Sequence, residues 1–439
     1  PGLIDGHIHP VMGEWTPTQD TIGWIGNYLH GGSTTMISAG ELHAPGLDFH
    51  NLTPDLVTSL AEVTRATTGR VRWSGVKVHA GTALLVPGMT EAHFDRLAAA
   101  GSLLVKFIFY PLESDPEEAL RYSQWCRDRN ILTKVHTGGV SRSGSSRICG
   151  YDTLSWLQPD IAAHVAGGPI PMSDVDLDEL VDRTEFALEI TSSGNYRSTL
   201  RVANRLKAQG RLDRLTMGTD TPGGTGVIPR GMLRNILLLA AVADLTPGEA
   251  IAVATGNTAR AHRLEEGFLK VGAPADLVIA GPVEGSAGTT LADAIAHGDL
   301  PGISYVFIDG EIVVDKRSQQ TPPPASPATI RYCSGLGNSC GRTSERSSVV
   351  SVMIRFPQDA SIGSDKFFPL PSRERGTRRV AMGGEGAIAE IGFPDAPTTT
   401  FFTRSPLNFP CSAWAPSSPA RGEGISAPLF IHMSLKGRG

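Results

Sequence analysis

Short β-rich runs alternate with helical patterns through the first 262 residues, and that rhythm predicts an α/β fold built as a (β/α)8 TIM-like barrel. Three observations carry it. Eight apolar runs of strand length are each followed by a helix-like segment or a loop, over a length that one such barrel occupies. Several of the helical segments open with capping residues. Residues able to do chemistry recur where the runs end, on the side of a barrel that carries active sites. An open, doubly wound sheet is the alternative, because alternation alone does not establish closure.

Taken in order, strands are predicted over residues 3–7, 34–38, 71–79, 103–109, 131–136, 161–164, 186–190 and 215–219. Helices are predicted over 53–67, 91–99, 116–129, 173–184 and 197–209. Ser173 stands three residues before Asp176, a capping serine with an acid on the first turn. Asp115-Pro116-Glu117-Glu118 places proline at the first helical position with acids beside the positive end of the dipole. From residue 263 to 317 the pattern changes to β-strands with an Asp309-Gly310 hairpin turn, a small β element after the barrel. Residues 318–439 are rich in Pro, Ser, Gly and Arg and keep no period of 2 or 3.6, so a disordered tail without chemistry, or a misread reading frame, is expected there.

Composition narrows the function. A net charge of −5 over 439 residues offers no basic footprint for nucleic acid or an anionic membrane. No apolar run is long enough to predict a membrane span. Five cysteines without metal-type spacing do not form a disulfide framework, which favours a reducing cytoplasm. The chain starts abruptly inside a motif, so a preceding piece is expected.

That motif is PGLIDGHIHP, with His7 and His9 two positions apart. Alternate side chains of a strand share a face, so both imidazoles converge on one side of a strand end. Later strand ends answer them. SLLVKFIF embeds Lys106 among apolar residues, ILTKVHTGG ends in His136, DIAAHVAGGP in His164, and LTMGTDTPGG in Asp220. Each alone has an ordinary explanation as a hydrogen-bonded or capping residue. Together they form a metal constellation. Neutral imidazoles with a carboxylate and no cysteine suit Zn²⁺, Fe²⁺ or Mn²⁺ in an open, catalytic site. Two ions about 3.5–4 Å apart can share a bridging hydroxide and polarise a carbonyl.

On these residues the chain resembles the amidohydrolase superfamily from residue 1 to about 316. Three further segments carry the likeness: LTPGEAIAVATGNTAR resembles its last barrel helix, VGAPADLVIAGP a strand of its small β-sandwich, and ISYVFIDGEIVV its closing strands. In that superfamily the sandwich is built from segments on both sides of the barrel, so here it is expected to be incomplete. The resemblance implies that His7, His9 and Asp220 hold one metal and His136 and His164 the other. It implies a carboxylated Lys106 bridging them, although a shift of one residue would put Phe107 at that position. Asp220 would also serve as general base and acid. Two divalent ions, Zn and/or Fe, are the implied cofactors, and a homodimer or tetramer the implied assembly.

The loops after the second, fifth, sixth and eighth strands narrow the substrate. TTMISAGELHAPG, VHTGGVSRSGSS, HVAGGPIPMS and TDTPGGTGVIPRGMLRNI resemble the enamidase branch, which opens a cyclic enamide in nicotinate breakdown. A small cyclic amide such as 1,4,5,6-tetrahydro-6-oxonicotinate is the implied substrate. Glu41, His43, Thr137, Arg147, Asn195 and Arg230 lie in or near those loops as candidate substrate-binding residues, and an arginine can clamp a carboxylate bidentately. His79 reads as a supporting donor or a core histidine. His30, His50, His93, His262 and His297 fall away from strand ends and receive no role. The alternatives are a sister activity on the same metals (imidazolonepropionase, dihydropyrimidinase or a deaminase) and an inactive, truncated copy.

Overall fold

The computed structural model describes residues 1–10, 24–41, 47–48, 51–69, 75–140, 146–168, 170–326 and 328–333, with the backbone of four short strands beyond them. Its first half is a ring of parallel strands. They are β1 (Leu3–Ile8), β2 (Ser33–Ser38), β3 (Lys77–His79), β4 (Ala83–Leu84), β5 (Leu104–Phe107), β6 (Leu132–His136), β7 (Ile161–Ala163), β8 (Ala187–Thr191) and β9 (Leu215–Gly218). β1, β2 and β3 pair in one parallel sheet, and β4 through β9 in another, each strand beside its successor. β3 and β4 share the third barrel position. The strand expected over 71–79 starts only at Lys77, and residues 71–74 lie outside those described.

Closure decides between barrel and open sheet. The Asp220 N–H donates to His7 O at 2.8 Å, and the His9 N–H to Thr221 O at 2.7 Å. Asp5 adds a side-chain clasp: its carboxylate accepts the Thr219 N–H at 2.8 Å and the Thr219 hydroxyl at 2.6 Å. The first and last strands are therefore joined, as in a barrel.

The helices pack outside this ring, and their starts follow from side-chain chemistry. They are α1 (Trp24–Leu29), α2 (Pro54–Thr68), α3 (Glu91–Ala100), α4 (Pro116–Asp128), α5 (Tyr151–Leu157), α6 (Asp174–Arg183), α7 (Tyr196–Ala208), α8 (Gly231–Ala241) and α9 (Pro247–Ala252). Thr53, Asp115 and Ser173 each accept a backbone N–H three residues on, so the expected helices begin one residue after their caps. α7 starts at Tyr196, before the expected Arg197, because Asn195 accepts the Ser198 N–H at 3.2 Å. The short α1 and α5 carried too few turns to show a period in sequence. The segment resembling a last barrel helix is α9 continued by a π-turn over Val253–Asn257. Core side chains such as Tyr28, Phe94, Phe107 and Tyr122 are fully buried between strands and helices.

After the barrel come β10 (Leu277–Gly281), β11 (Gly302–Ile308) and β12 (Glu311–Val314), an antiparallel sheet. Asp309 and Gly310 both have positive φ, 51° and 84°, the signature of the tight hairpin turn that D-G predicts. Lys77 of β3 ties this sheet to the barrel through Asp276 at 2.9 Å and Asp309 at 2.6 Å.

The expected boundary at 317 is crossed by contacts: the Ser318 hydroxyl donates to His30 O at 2.6 Å, and Val283 bridges to Pro324. Further on, β13 (Thr329–Cys333), β14 (Val349–Arg355), β15 (Ala389–Ile391), β16 (Thr399–Thr400) and β17 (Leu429–Ser434) pair in the order β13-β14-β17-β15-β16. The rest of the expected disordered tail lies outside the described residues. Among the described residues no helix is long and apolar enough to cross a membrane.

Candidate metal centre

β1 delivers two histidines to one face of the barrel mouth because Ile8 separates them and turns into the core. The His7 ring is fully buried, and its centroid lies 5.1 Å from that of His9 and 5.3 Å from that of His164. The His136 and His164 rings are 4.7 Å apart. Asp220 reaches in from the end of β9, with Oδ1 3.1 Å from His9 Nε2 and 3.5 Å from His7 Nε2. His7, His9 and Asp220 each present a ligand atom within 4.8 Å of the others.

Two of these residues sit in unusual backbone. His164 has φ 40° and Asp220 φ 63°, a left-handed region that costs a non-glycine residue energy and clusters at functional sites. The turn after Asp220 holds it there. Gly224 donates its N–H to Asp220 O at 2.8 Å, and a Cβ on Gly224 would come within 2.0 Å of the carboxylate. Ser193, after β8, donates its hydroxyl to Asp220 Oδ2 at 2.8 Å.

Lys106, not Phe107, enters the site. Its Nζ lies 3.1 Å from His7 Nε2, while Phe107 packs edge-on against Tyr110 in the core. Burial, relieved only in part by Asp220, pulls the Lys106 amine down to about 7. Burial also keeps the imidazoles neutral: His136 falls to about 4, and His7 and His164 lie well below the usual histidine range. Burial alone would raise Asp220, but His7 and His9 outweigh it and hold the carboxylate well below its ordinary value. Neutral imidazoles at His7, His136 and His164 beside an ionised Asp220 are in the protonation state that divalent metals require.

The donor set fits a metal on a further ground. His136 Nδ1 and His164 Nδ1 are buried with no hydrogen-bond partner, which is costly unless something else occupies them. His136 Nε2 meets Gly139 O at 2.9 Å, so Nδ1 is the nitrogen left with a lone pair.

The remaining expected site residues divide. Arg147 is exposed and, with His136, Phe107, Tyr110, Leu112 and Cys149, lines an open cleft beside the histidines. Glu41 is buried, accepts the Gly81 N–H at 2.9 Å through Oε1, and leaves Oε2 without a partner; burial raises its carboxyl to about 8. The Thr137 hydroxyl is spent on Ala163 O at 2.8 Å, and the Asn195 side chain on the α7 cap. Arg230 is exposed just before α8, and His43 lies outside the described residues.

Behind the imidazoles stand charged residues that the sequence reading passed over. Glu189 of β8 meets His7 Nδ1 at 2.5 Å, and Lys134 of β6 donates to the other Glu189 oxygen at 2.7 Å. The signal was present: FALEIT and ILTKVH each place one charge in an apolar strand, as SLLVKFIF does for Lys106.

Comparison with known proteins agrees with the geometry. Residues 1–313 match the amidohydrolase family. An enamidase of Eubacterium barkeri is 39% identical over 331 residues, 75% of this chain and 84% of that protein. The crystal structure of an enamidase, described as a member of the amidohydrolase superfamily, superposes with a TM-score of 0.67 at 38% identity, over 74% of this chain and 83% of the other. A closed barrel, an H-x-H at its first strand, an aspartate at its last and a match running from Pro1 through the small sheet have one reading: the chain belongs to the amidohydrolase family.

Proposed function

We propose that this chain is a metal-dependent hydrolase that opens a cyclic amide at its C–N bond, with 1,4,5,6-tetrahydro-6-oxonicotinate or a close analogue as substrate. His7, His9 and Asp220 would hold one divalent ion and His136 and His164 the other, with Lys106, whose Nζ lies 3.1 Å from His7 Nε2, as a further ligand once carboxylated. The observation that carries the reading is the pair of partnerless buried nitrogens on His136 and His164, whose rings lie 4.7 Å apart and, for His164, 5.3 Å from that of His7 in the His7–His9–Asp220 cluster. The likeness to an enamidase supports the substrate class.

When bound, two divalent ions supply Lewis acidity, lowering the pKa of water and polarising an amide carbonyl. The chain's own residues do the rest. Asp220 takes the proton of the attacking water and returns it to the ring nitrogen as the C–N bond breaks. Ser193 holds one Asp220 oxygen, so the other faces the histidines. With its amine near 7, Lys106 has a neutral fraction at neutral pH, the form that adds CO₂ and releases a proton to become a carbamate. Arg147 receives the substrate carboxylate in the cleft it lines with Leu112 and Ile148. The enamine set free tautomerises, takes up a second water and releases ammonia, leaving 2-formylglutarate.

The chain is read as cytoplasmic, with Cys126 and Cys149 free and buried, and as a homodimer or tetramer by family likeness. The sister activities are not favoured, because the likeness over 331 residues, 75% of this chain, is to an enamidase. An inactive copy is not favoured either, because the full ligand set is kept. A substrate panel tests the proposal: ammonia release from the 6-oxo-tetrahydronicotinate is expected, and turnover confined to hydantoins or dihydropyrimidines would refute it.

A further inference from the structure

The barrel lumen below the metal centre holds a buried ion pair that the hydrolytic mechanism does not use. Glu189 and Lys134 are both fully buried. Lys134 Nζ donates to Glu189 Oε2 and to the backbone carbonyl of Gly6, each at 2.7 Å. The second Glu189 oxygen lies 2.5 Å from His7 Nδ1. Three strands, β1, β6 and β8, are thus tied together directly beneath the H-x-H motif.

We propose that Glu189 is a positioning residue for His7, and Lys134 for Glu189. A carboxylate only accepts, so this short contact requires a proton on His7 Nδ1. Nε2 then carries the lone pair, and it is Nε2 that faces Asp220 and Lys106. The carboxylate thereby fixes tautomer and ring orientation together, and raises the basicity of Nε2. Lys134 supplies the opposite charge that a buried carboxylate needs, and its bond to Gly6 O anchors the pair one residue from His7. Geometry accounts for the placement of each group: Lys134 shares a face with His136 two residues on, and Gly6 directly precedes His7 along β1.

The inference rests on the reading of His7 as a metal ligand, and the experiment separates the two. Zinc affinity is measured by chelator competition on the full chain and on Glu189→Gln, with unfolding of both metal-free proteins as the structural control. A loss of about 10- to 100-fold in affinity is expected for Glu189→Gln, beyond any change in metal-free unfolding. Glu189→Asp should recover part of it. Because Glu189→Gln leaves Lys134 uncompensated, the double variant Glu189→Gln/Lys134→Met guards against failure to fold and should show the same loss. In the wild-type chain, ¹⁵N shifts assigned to His7 by comparison with His7→Gln should report a protonated Nδ1. Zinc affinity equal to wild type in a folded variant, or a His7 protonated at Nε2, would overturn the positioning role alone. A wild-type chain that takes up no zinc would overturn the metal reading and the inference with it.

Discussion

Lys106 Nζ lies 3.1 Å from His7 Nε2, so a lysine of β5 and a histidine of β1 meet across the barrel lumen. The contact fixes the register of β5: an odd shift would exchange Lys106 for Phe107 and turn the amine into the core. Lys106→Met replaces a buried amine by an apolar chain of similar length, so the fold should persist. Turnover is expected to fall by about 100-fold or more, with loss of metal occupancy. Near-wild-type kcat with full metal would remove Lys106 from the site.

Asp220→Asn keeps the shape of the carboxylate and loses its proton affinity. Most bound metal should remain while kcat falls by about 10²- to 10⁴-fold. Metal analysis beside steady-state kinetics checks it; activity near wild type would mean that another group moves the proton.

Much of this site was legible because strand periodicity is strict. His7 and His9 share parity, and so do Lys134 and His136, so naming one member of a face points to the next. Glu189 is not marked by a strand-end position, because it stands one layer deeper in the lumen than the histidines. The roles of Thr137 and Asn195 were not legible. Each is a polar loop residue in sequence, and only three-dimensional structure shows its side chain spent on Ala163 O or on a helix cap. The fold read well where helices had capping residues and several turns, and poorly at the short α1 and α5 and at α8, which opens after Arg230 without a side-chain cap.

Tyr28 stabilises the loop behind Asp220. Its hydroxyl accepts the Ile228 N–H at 2.6 Å and bonds the Thr221 hydroxyl. Tyr28→Phe strips a partner from both, at a cost of about 1–3 kcal/mol if the groups stay dry. Urea unfolding should show that loss, and kcat should fall with it because Asp220 adjoins the loosened segment. An unchanged midpoint would mean that water replaces the hydroxyl.

Arg147 is expected to act in binding rather than in chemistry. Arg147→Met should raise KM for a carboxylated substrate by about 10- to 100-fold and leave kcat within a few-fold. A fall in kcat with KM unchanged would place Arg147 elsewhere in the reaction.

Glu41 makes a stability prediction with a definite sign. Burial raises its carboxyl to about 8, so folding favours the protonated form. That contribution is complete below the unfolded value of 4.5 and is lost as pH rises towards 8. Asp5, raised by burial to about 7, adds in the same direction. Metal-free Glu41→Gln should match wild type near pH 4.5 and melt higher than it above pH 8. Parallel melting curves across that range would contradict the assignment.

Metal content of the purified chain, read by plasma mass spectrometry, decides whether the barrel mouth holds two ions. About two zinc or iron ions per chain are predicted, falling to about one in His136→Ala. A folded chain without metal, or one whose metal content ignores the loss of His136, would contradict a two-metal centre.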